Sequence, residues 1–318
     1  MEYVVLLISL AGIVYGADFL VSGSVAIARK FRVSDFVIGA AIVGIGTSVP
    51  ELTVSFIGAL KGNSDVAIGN IVGSNIFNIL GILGLTAMLY PIRIDKNNMR
   101  FELPVGIGVS VLLTLLVINP LSYNVLSISR FDGIVLLVCF GLYLWYSFYK
   151  DKKQSENVEL DIEAAKRPLW LSIIMVIGGL VALIISCDVF VDTAVDLAKA
   201  WGANDALISL TLIACGTSLP ELAASIAAAR RKNTQLALGN IIGSNIFNAT
   251  LILGLCAQVM PLNSSSITMV DYGVMILAAI VPLVLGIKGK IGRFPGFLMV
   301  LSFVFYTLYL FKTQAGHF

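Results

Sequence analysis

Charge is scarce in this sequence: Asp, Glu, Lys and Arg together make 13% of its 318 residues, about half the ~25% of an ordinary soluble domain. With 58% hydrophobic residues, that excludes a water-solvated globule and implies one polytopic unit solvated mainly by lipid. Histidine is nearly missing too. The one histidine, His317, stands in the C-terminal tail, so a histidine proton relay inside the membrane is excluded. With no HExxH pattern and no Ser/His pair, an intramembrane enzyme lacks its chemistry. The four cysteines, Cys139, Cys187, Cys215 and Cys256, fall in apolar stretches without metal-ligand spacing and read as buried free thiols. No basic run offers itself to nucleic acid. The apolar stretch from Tyr3 has no basic n-region and runs past Asp18 without a small-residue cleavage site, so it reads as a retained first helix rather than a signal peptide.

What is present is long apolar runs. Segments of hydrocarbon length, about 20 residues, fall near 3–28, 34–60, 66–89, 102–119, 132–150, 169–198, 204–229, 236–260, 268–287 and 294–312. Their Gly and Pro content and lack of period-2 alternation favour helices over barrel strands. The expected fold class is therefore an all-α polytopic membrane protein of ten helices. Residues 1–150 form the first five-helix half, 151–168 a polar linker and 169–318 the second half. With that helix count, 17 of the 21 Lys and Arg residues fall on one side and 4 on the other. The positive-inside rule then places the linker in the cytoplasm and both termini outside the plasma membrane. A linker this short leaves no room for a folded regulatory domain.

The two halves carry one repeated text. Gly46-Thr47-Ser48-Val49-Pro50-Glu51-Leu52 recurs as Gly216-Thr217-Ser218-Leu219-Pro220-Glu221-Leu222. Gly69-Asn70-Ile71-Val72-Gly73-Ser74-Asn75-Ile76-Phe77-Asn78 recurs as Gly239-Asn240-Ile241-Ile242-Gly243-Ser244-Asn245-Ile246-Phe247-Asn248. The same offset of 170 relates Asp18 to Asp188, Asp35 to Asp205 and Pro91 to Pro261. An odd number of helices per half inserts the second copy upside down. Such inverted repeats put a site where their pseudo-two-fold axis passes through interrupted helices.

The repeated residues suit a hard cation. Pro50 removes a backbone donor and clashes one turn back, so the second helix should break around 44–48. That break should free the carbonyls of Gly44, Thr47 and Ser48, facing Glu51; Ala214, Thr217, Ser218 and Glu221 form the matching set. Asn70, Ser74 and Asn78, and likewise Asn240, Ser244 and Asn248, form polar stripes on one helix face, beside GxxxG pairs that admit a close neighbour. Together these give an all-oxygen cage, suited to Ca²⁺ or Na⁺ and not to Zn or Cu. Kinks, GxxxG pairs and buried amides each have ordinary packing roles, but packing does not call for an ionisable group in both halves. Asp18, Asp188 and Asp192 sit nearer helix ends and read as caps or as partners of neighbouring helices.

At these two blocks the sequence resembles the sodium/calcium exchanger family of the calcium/cation antiporter superfamily, prokaryotic type, across essentially the whole chain. Its first alpha repeat would cover about 38–80 and its second about 208–250. The resemblance implies secondary active exchange of Ca²⁺ for Na⁺ by alternating access, with helices 1 and 6 sliding across the rest. It implies Glu51 and Glu221, with the carbonyls of Thr47 and Thr217, as Ca²⁺ ligands. Ser48, Ser74, Asn78, Gly44, Ser218, Ser244, Asn248 and Ala214 would shape Na⁺ or counter-ion sites. No cofactor is implied; the partners are the transported ions and the bilayer, and the transport unit is one chain. One departure stands out: some sodium-coupled members carry aspartate where this chain has Asn248. The central charge is then −2, which two Na⁺, two protons or one Ca²⁺ would neutralise. Sodium is favoured by the serine oxygens, while H⁺ coupling or K⁺ dependence stays open. A passive cation channel is the rival of another class, but the polar residues cluster at mid-membrane between apolar ends.

Overall fold

A computed structural model describes residues 2–118, 126–154, 167–200, 214–264 and 266–315. Its helices are α1 (Glu2–Phe31), α2 (Asp35–Thr47), α3 (Val49–Leu60), α4 (Ser64–Leu89), α5 (Asn98–Ile118), α6 (Arg130–Gln154), α7 (Leu169–Ala200), the single turn α8 (Ala214–Gly216), α9 (Leu219–Arg230), α10 (Thr234–Val259), α11 (Met269–Gly286) and α12 (Arg293–Ala315). Among the described residues eight helices are long and apolar enough to cross a bilayer, and a ninth span is the pair α2 and α3, bent by 48°. The remaining expected span, 204–229, begins outside the described residues. Its described part, α8 and α9, repeats the break of α2 and α3.

Local signals set the boundaries. The Ser34 side chain caps α2 by accepting from the Val37 amide at 3.3 Å. Asn63 caps α4 through Val66 and Asn233 caps α10 through Leu236, at 3.2 and 3.1 Å, each satisfying an orphan amide of the first turn. The turns before these caps are also copies. Gly62 and Lys232 both adopt left-handed backbone, with φ of +76° and +61°, a conformation that is strained for lysine.

The inversion is visible in how α1 meets α7. Gly12 faces Ser186, Gly16 faces Leu183, and Gly23 faces Val176; one number rises as the other falls, so the helices run antiparallel. Because α1 and α7 are the same element of the two repeats, the second half is inserted inverted. Glycines at the crossing let backbones approach where packing has to stand in for the hydrophobic effect.

Two short antiparallel ribbons, not expected from the sequence, join the halves. The strand β1 (Ile92–Arg93) pairs with β4 (Lys290–Ile291), and β2 (Leu126–Ile128) pairs with β3 (Leu262–Ser264). They too obey the inversion, since β1 and β3 are equivalent stretches, each after its proline.

Burial is uneven in the way the site requires. Helices α4 and α10 are mostly enclosed, whereas α1, α6, α7 and α12 present large apolar side chains outward. Polar residues of the repeats are thus packed at the centre, with lipid-facing helices around them.

Candidate cation site

The break at Pro50 and Pro220 sets the geometry. Ser48 and Ser218 leave helical geometry at ψ of 11° and 9°, and α3 and α9 restart immediately after them with proline in the first turn. Proline fits that place because its missing amide would be unbonded anyway. Pro50 and Pro220 have no amide to return to the carbonyls of Gly46 and Gly216 one turn back. Two of the expected free carbonyls, those of Gly44 and Ser48, are bonded instead. Gly44 accepts from the Ser48 amide at 3.1 Å and from Ser244 Oγ at 3.2 Å, and Ser48 accepts from Leu52 at 3.0 Å.

Both glutamates are wholly buried, and each is held by the other half of the molecule. Ser48 Oγ donates to Glu221 Oε1 at 2.8 Å, and Ser218 Oγ donates to Glu51 Oε1 at 2.7 Å. These are one contact written twice, as an approximate two-fold axis requires. Asn70 donates to the Glu51 carbonyl and to Ser55, and Asn240 to the Glu221 carbonyl and to Ser225, at 2.8–3.2 Å. These two asparagines brace the broken helices rather than facing the carboxylates.

The remaining expected residues are mostly buried as well. Thr47, Asn78, Asn248 and Ser244 are fully buried and Ser74 nearly so; Thr217 is half-buried. Ser218 Oγ also reaches Ser74 Oγ at 3.3 Å. Ala214 opens α8, and its side chain lies outside what the structure describes. Five buried side-chain oxygens of this group, Glu51 Oε2, Glu221 Oε2, Asn78 Oδ1, Asn248 Oδ1 and Thr217 Oγ1, have no hydrogen-bond partner. Unpaired buried acceptors are rare and call for an explanation. A hard cation is the kind of partner such oxygens take.

Magnitudes point the same way. An ionised carboxylate loses several kcal/mol on burial, and one hydrogen bond to a charged group returns only about 1.5–3 kcal/mol. The serine bond alone therefore does not offset the burial of an ionised carboxylate, and a cation is the kind of partner that would. Among the described residues no three Asp, Glu, His or Cys side chains come together, so two carboxylates and neutral oxygens are the whole donor set.

Asn75 and Asn245, which join the halves, were not singled out by sequence. Asn75 donates to the Asn245 carbonyl and Asn245 to the Asn75 carbonyl, at 3.1 and 3.0 Å. Asn78 donates to Asn245 Oδ1 and Asn248 to Asn75 Oδ1, at 3.0 and 3.2 Å. These crossed bonds hold the amides of Asn78 and Asn248, leaving their oxygens unpaired. Both residues sit where α4 and α10 loosen into π-helical turns, Phe77–Leu83 and Asn248–Ile252, a distortion frequent at functional sites.

The family model described as sodium/calcium exchanger protein matches residues 1–149 and 171–312. The chain belongs to the sodium/calcium exchanger family. That is a family of membrane transporters, not of enzymes. Among its relatives, sodium/calcium exchanger MaX1 of Methanosarcina acetivorans is 30% identical over 98% of both chains. Inner membrane protein YrbG of Escherichia coli is 38% identical over 87% of this chain and 86% of its own. A solved structure of the sodium-calcium exchanger NCX_Mj superposes with a TM-score of 0.82 at 34% identity, covering 96% of this chain and 97% of the other. The exchanger fold, with its inverted repeats, is thereby established for this chain.

Within that fold the two-fold is broken at one place. On the side where α2 meets α10, Gly39 lies on the backbone of Leu236, Gly239 on Phe36 and Gly243 on Ala40. This backbone-to-backbone seam lies between the Glu pair and the end of the bundle holding Arg29, Arg230 and Arg231. The equivalents on α4 are open: Gly73 is exposed whereas Gly243 is buried, and Asn70 is half-buried whereas Asn240 is enclosed. Asp18 follows the same asymmetry. It pairs with Arg230 at 2.5 Å and with Arg231 at 3.5 Å, as a partner of a neighbouring helix. Asp188 and Asp192 are exposed.

Proposed function

We propose that this exchanger moves Ca²⁺ against Na⁺ through one central site centred on Glu51 and Glu221, opened to one side of the membrane at a time. The observation that carries the reading is the crossed pair of serine–glutamate bonds, because it brings two buried acids from opposite repeats to one axis. Ca²⁺ would be held by Glu51 and Glu221 with the carbonyls of Thr47 and Thr217; oxygens at this count and hardness are what the ion prefers. Na⁺ would use the neutral oxygens beside them, from Ser48, Ser74, Asn78, Ser218, Ser244 and Asn248. The Gly44 carbonyl is already engaged by Ser244 and would join only after that bond is given up.

Coupling follows from charge. An uncompensated pair of carboxylates is costly to carry through a conformational change in an apolar setting, so the site crosses loaded with one ion type or the other. The names of the relatives MaX1 and NCX_Mj support the same ion pair. A second reading, exchange of Ca²⁺ for protons, is favoured by one observation: asparagine at both 78 and 248 limits the acids to two, which two protons would neutralise. Orientation follows the cation asymmetry, with the end bearing Arg29, Arg93 and Arg230 in the cytoplasm.

Glu51→Gln and Glu221→Gln each remove one charge at nearly constant volume. Both should abolish gradient-driven Ca²⁺ uptake in proteoliposomes while leaving the melting behaviour of the purified protein intact. Uptake retained in either variant would refute the site.

A further inference from the structure

A cavity away from the glutamates lies at the cationic end of the bundle. It has a volume of about 880 Å³ between the end of α1, the corner from α4 into β1, the start of α7 and the turn between α9 and α10. Arg29, Arg93, Arg167, Arg231 and Lys232 line it, with Asp35 the one carboxylate in its wall and Asp18 outside it 3.5 Å from Arg231. The Asp35 carboxylate is already spent, since both its oxygens accept from the Arg29 guanidinium at 2.9 and 2.8 Å. Arg29 Nε remains buried without a partner, as does Gln235 Oε1 in the same wall. Among the described residues Arg93 and Lys232 form no ion pair at all.

The positive-inside rule explains why cations lie on this side. It does not explain why five of them converge on one cleft. Lys96, Arg100, Lys288 and Arg293 lie toward the same end and line none of it. Uncompensated like charges at close range repel, and guanidinium forks match phosphate oxygens in geometry and charge. We infer that this cavity binds a phosphate-bearing anion. A phospholipid headgroup and a soluble phosphate share that chemistry, and a basic pocket between helices at the cytoplasmic face suits the former. The walls come from α1 and α7 on one side and from α4 and the α9–α10 turn on the other. A bound anion would therefore tie the α1–α7 pair to the centre of the bundle.

The test uses the full-length protein and does not depend on which cation is exchanged. Retention of cardiolipin or phosphatidylglycerol over phosphatidylcholine is read by native mass spectrometry from mixed-lipid nanodiscs. Pyrophosphate binding is read by calorimetry in neutral detergent. The result expected is saturable binding in at least one arm, weakened about tenfold or more by the pair Arg93→Gln and Lys232→Gln. The control pair Lys96→Gln and Arg100→Gln should leave it within about twofold, with both doubles melting like the parent. Retention of lipid alone assigns a headgroup; pyrophosphate binding assigns a soluble phosphate. No binding in either arm, or equal loss with the control pair, would overturn the proposal.

Discussion

At the scale of single residues, Asn248 would set the charge of the proposed site. Its amide is fixed by Asn75 at 3.2 Å and its buried oxygen is left unpaired. In the proposed site a charge of −2 would be matched by one Ca²⁺ or by two monovalent ions, so each passage would carry no net charge. Exchange by the parent protein should therefore be insensitive to an imposed diffusion potential. Asn248→Asp adds a third negative charge, and its Ca²⁺ uptake should become potential-dependent. Voltage-sensitive exchange by the parent would contradict the charge assignment. The glutamates themselves were legible in the sequence because an ionisable group repeated in apolar text has no packing rationale. Asn75 and Asn245 were not, because their bonds run between halves along a two-fold axis that no spacing within one helix reveals.

At the scale of elements, two things follow from the inverted repeat. The first concerns the peripheral helices. Asp271 near the start of α11 is buried and accepts from Tyr306 on α12 at 2.7 Å, and Glu102 on α5 faces Tyr143 on α6 at 3.5 Å. Each acid–tyrosine pair latches the outer helices of its half, a match hidden from the sequence because the two halves differ in loop length. Tyr306→Phe removes a hydrogen bond to a buried acid and should lower stability by about 1.5–3 kcal/mol. The expected readout is a lower melting temperature in detergent with exchange retained. An unchanged melt would show that the latch is idle. The second concerns the ion pair of Asp18 with Arg231. Its equivalents under the repeat are Asp188 and Lys61, both exposed and, among the described residues, unpaired with each other. If the two sides close alternately by the same contacts, Asp188 and Lys61 meet when the opposite side shuts. Lys61→Glu should then slow exchange several-fold, and adding Asp188→Lys should restore much of the rate, as in other coupled pairs. A double variant as slow as the single would argue against the swap.

At the scale of the whole molecule, the architecture was largely readable because lipid imposes few choices. Long apolar runs become helices, and the skewed cations orient them. Less visible were the places where the helices depart from ideal geometry: the π-helical turns after Asn78 and Asn248, the ribbons that clip the halves together, and the seam of α2 on α10. Each depends on what packs opposite, which a single helix does not encode. The seam also explains how a symmetric chain is open on one side, since glycines of α10 are buried where their equivalents on α4 are not. The central claim is that this architecture exchanges one cation for another rather than conducting it. The most direct measurement is ⁴⁵Ca²⁺ uptake into proteoliposomes with Na⁺, K⁺ or H⁺ gradients imposed in turn. The account predicts that uptake requires a counter-ion on the opposite side, with Na⁺ the effective one. Uptake that proceeds equally in the absence of every opposing gradient would contradict it.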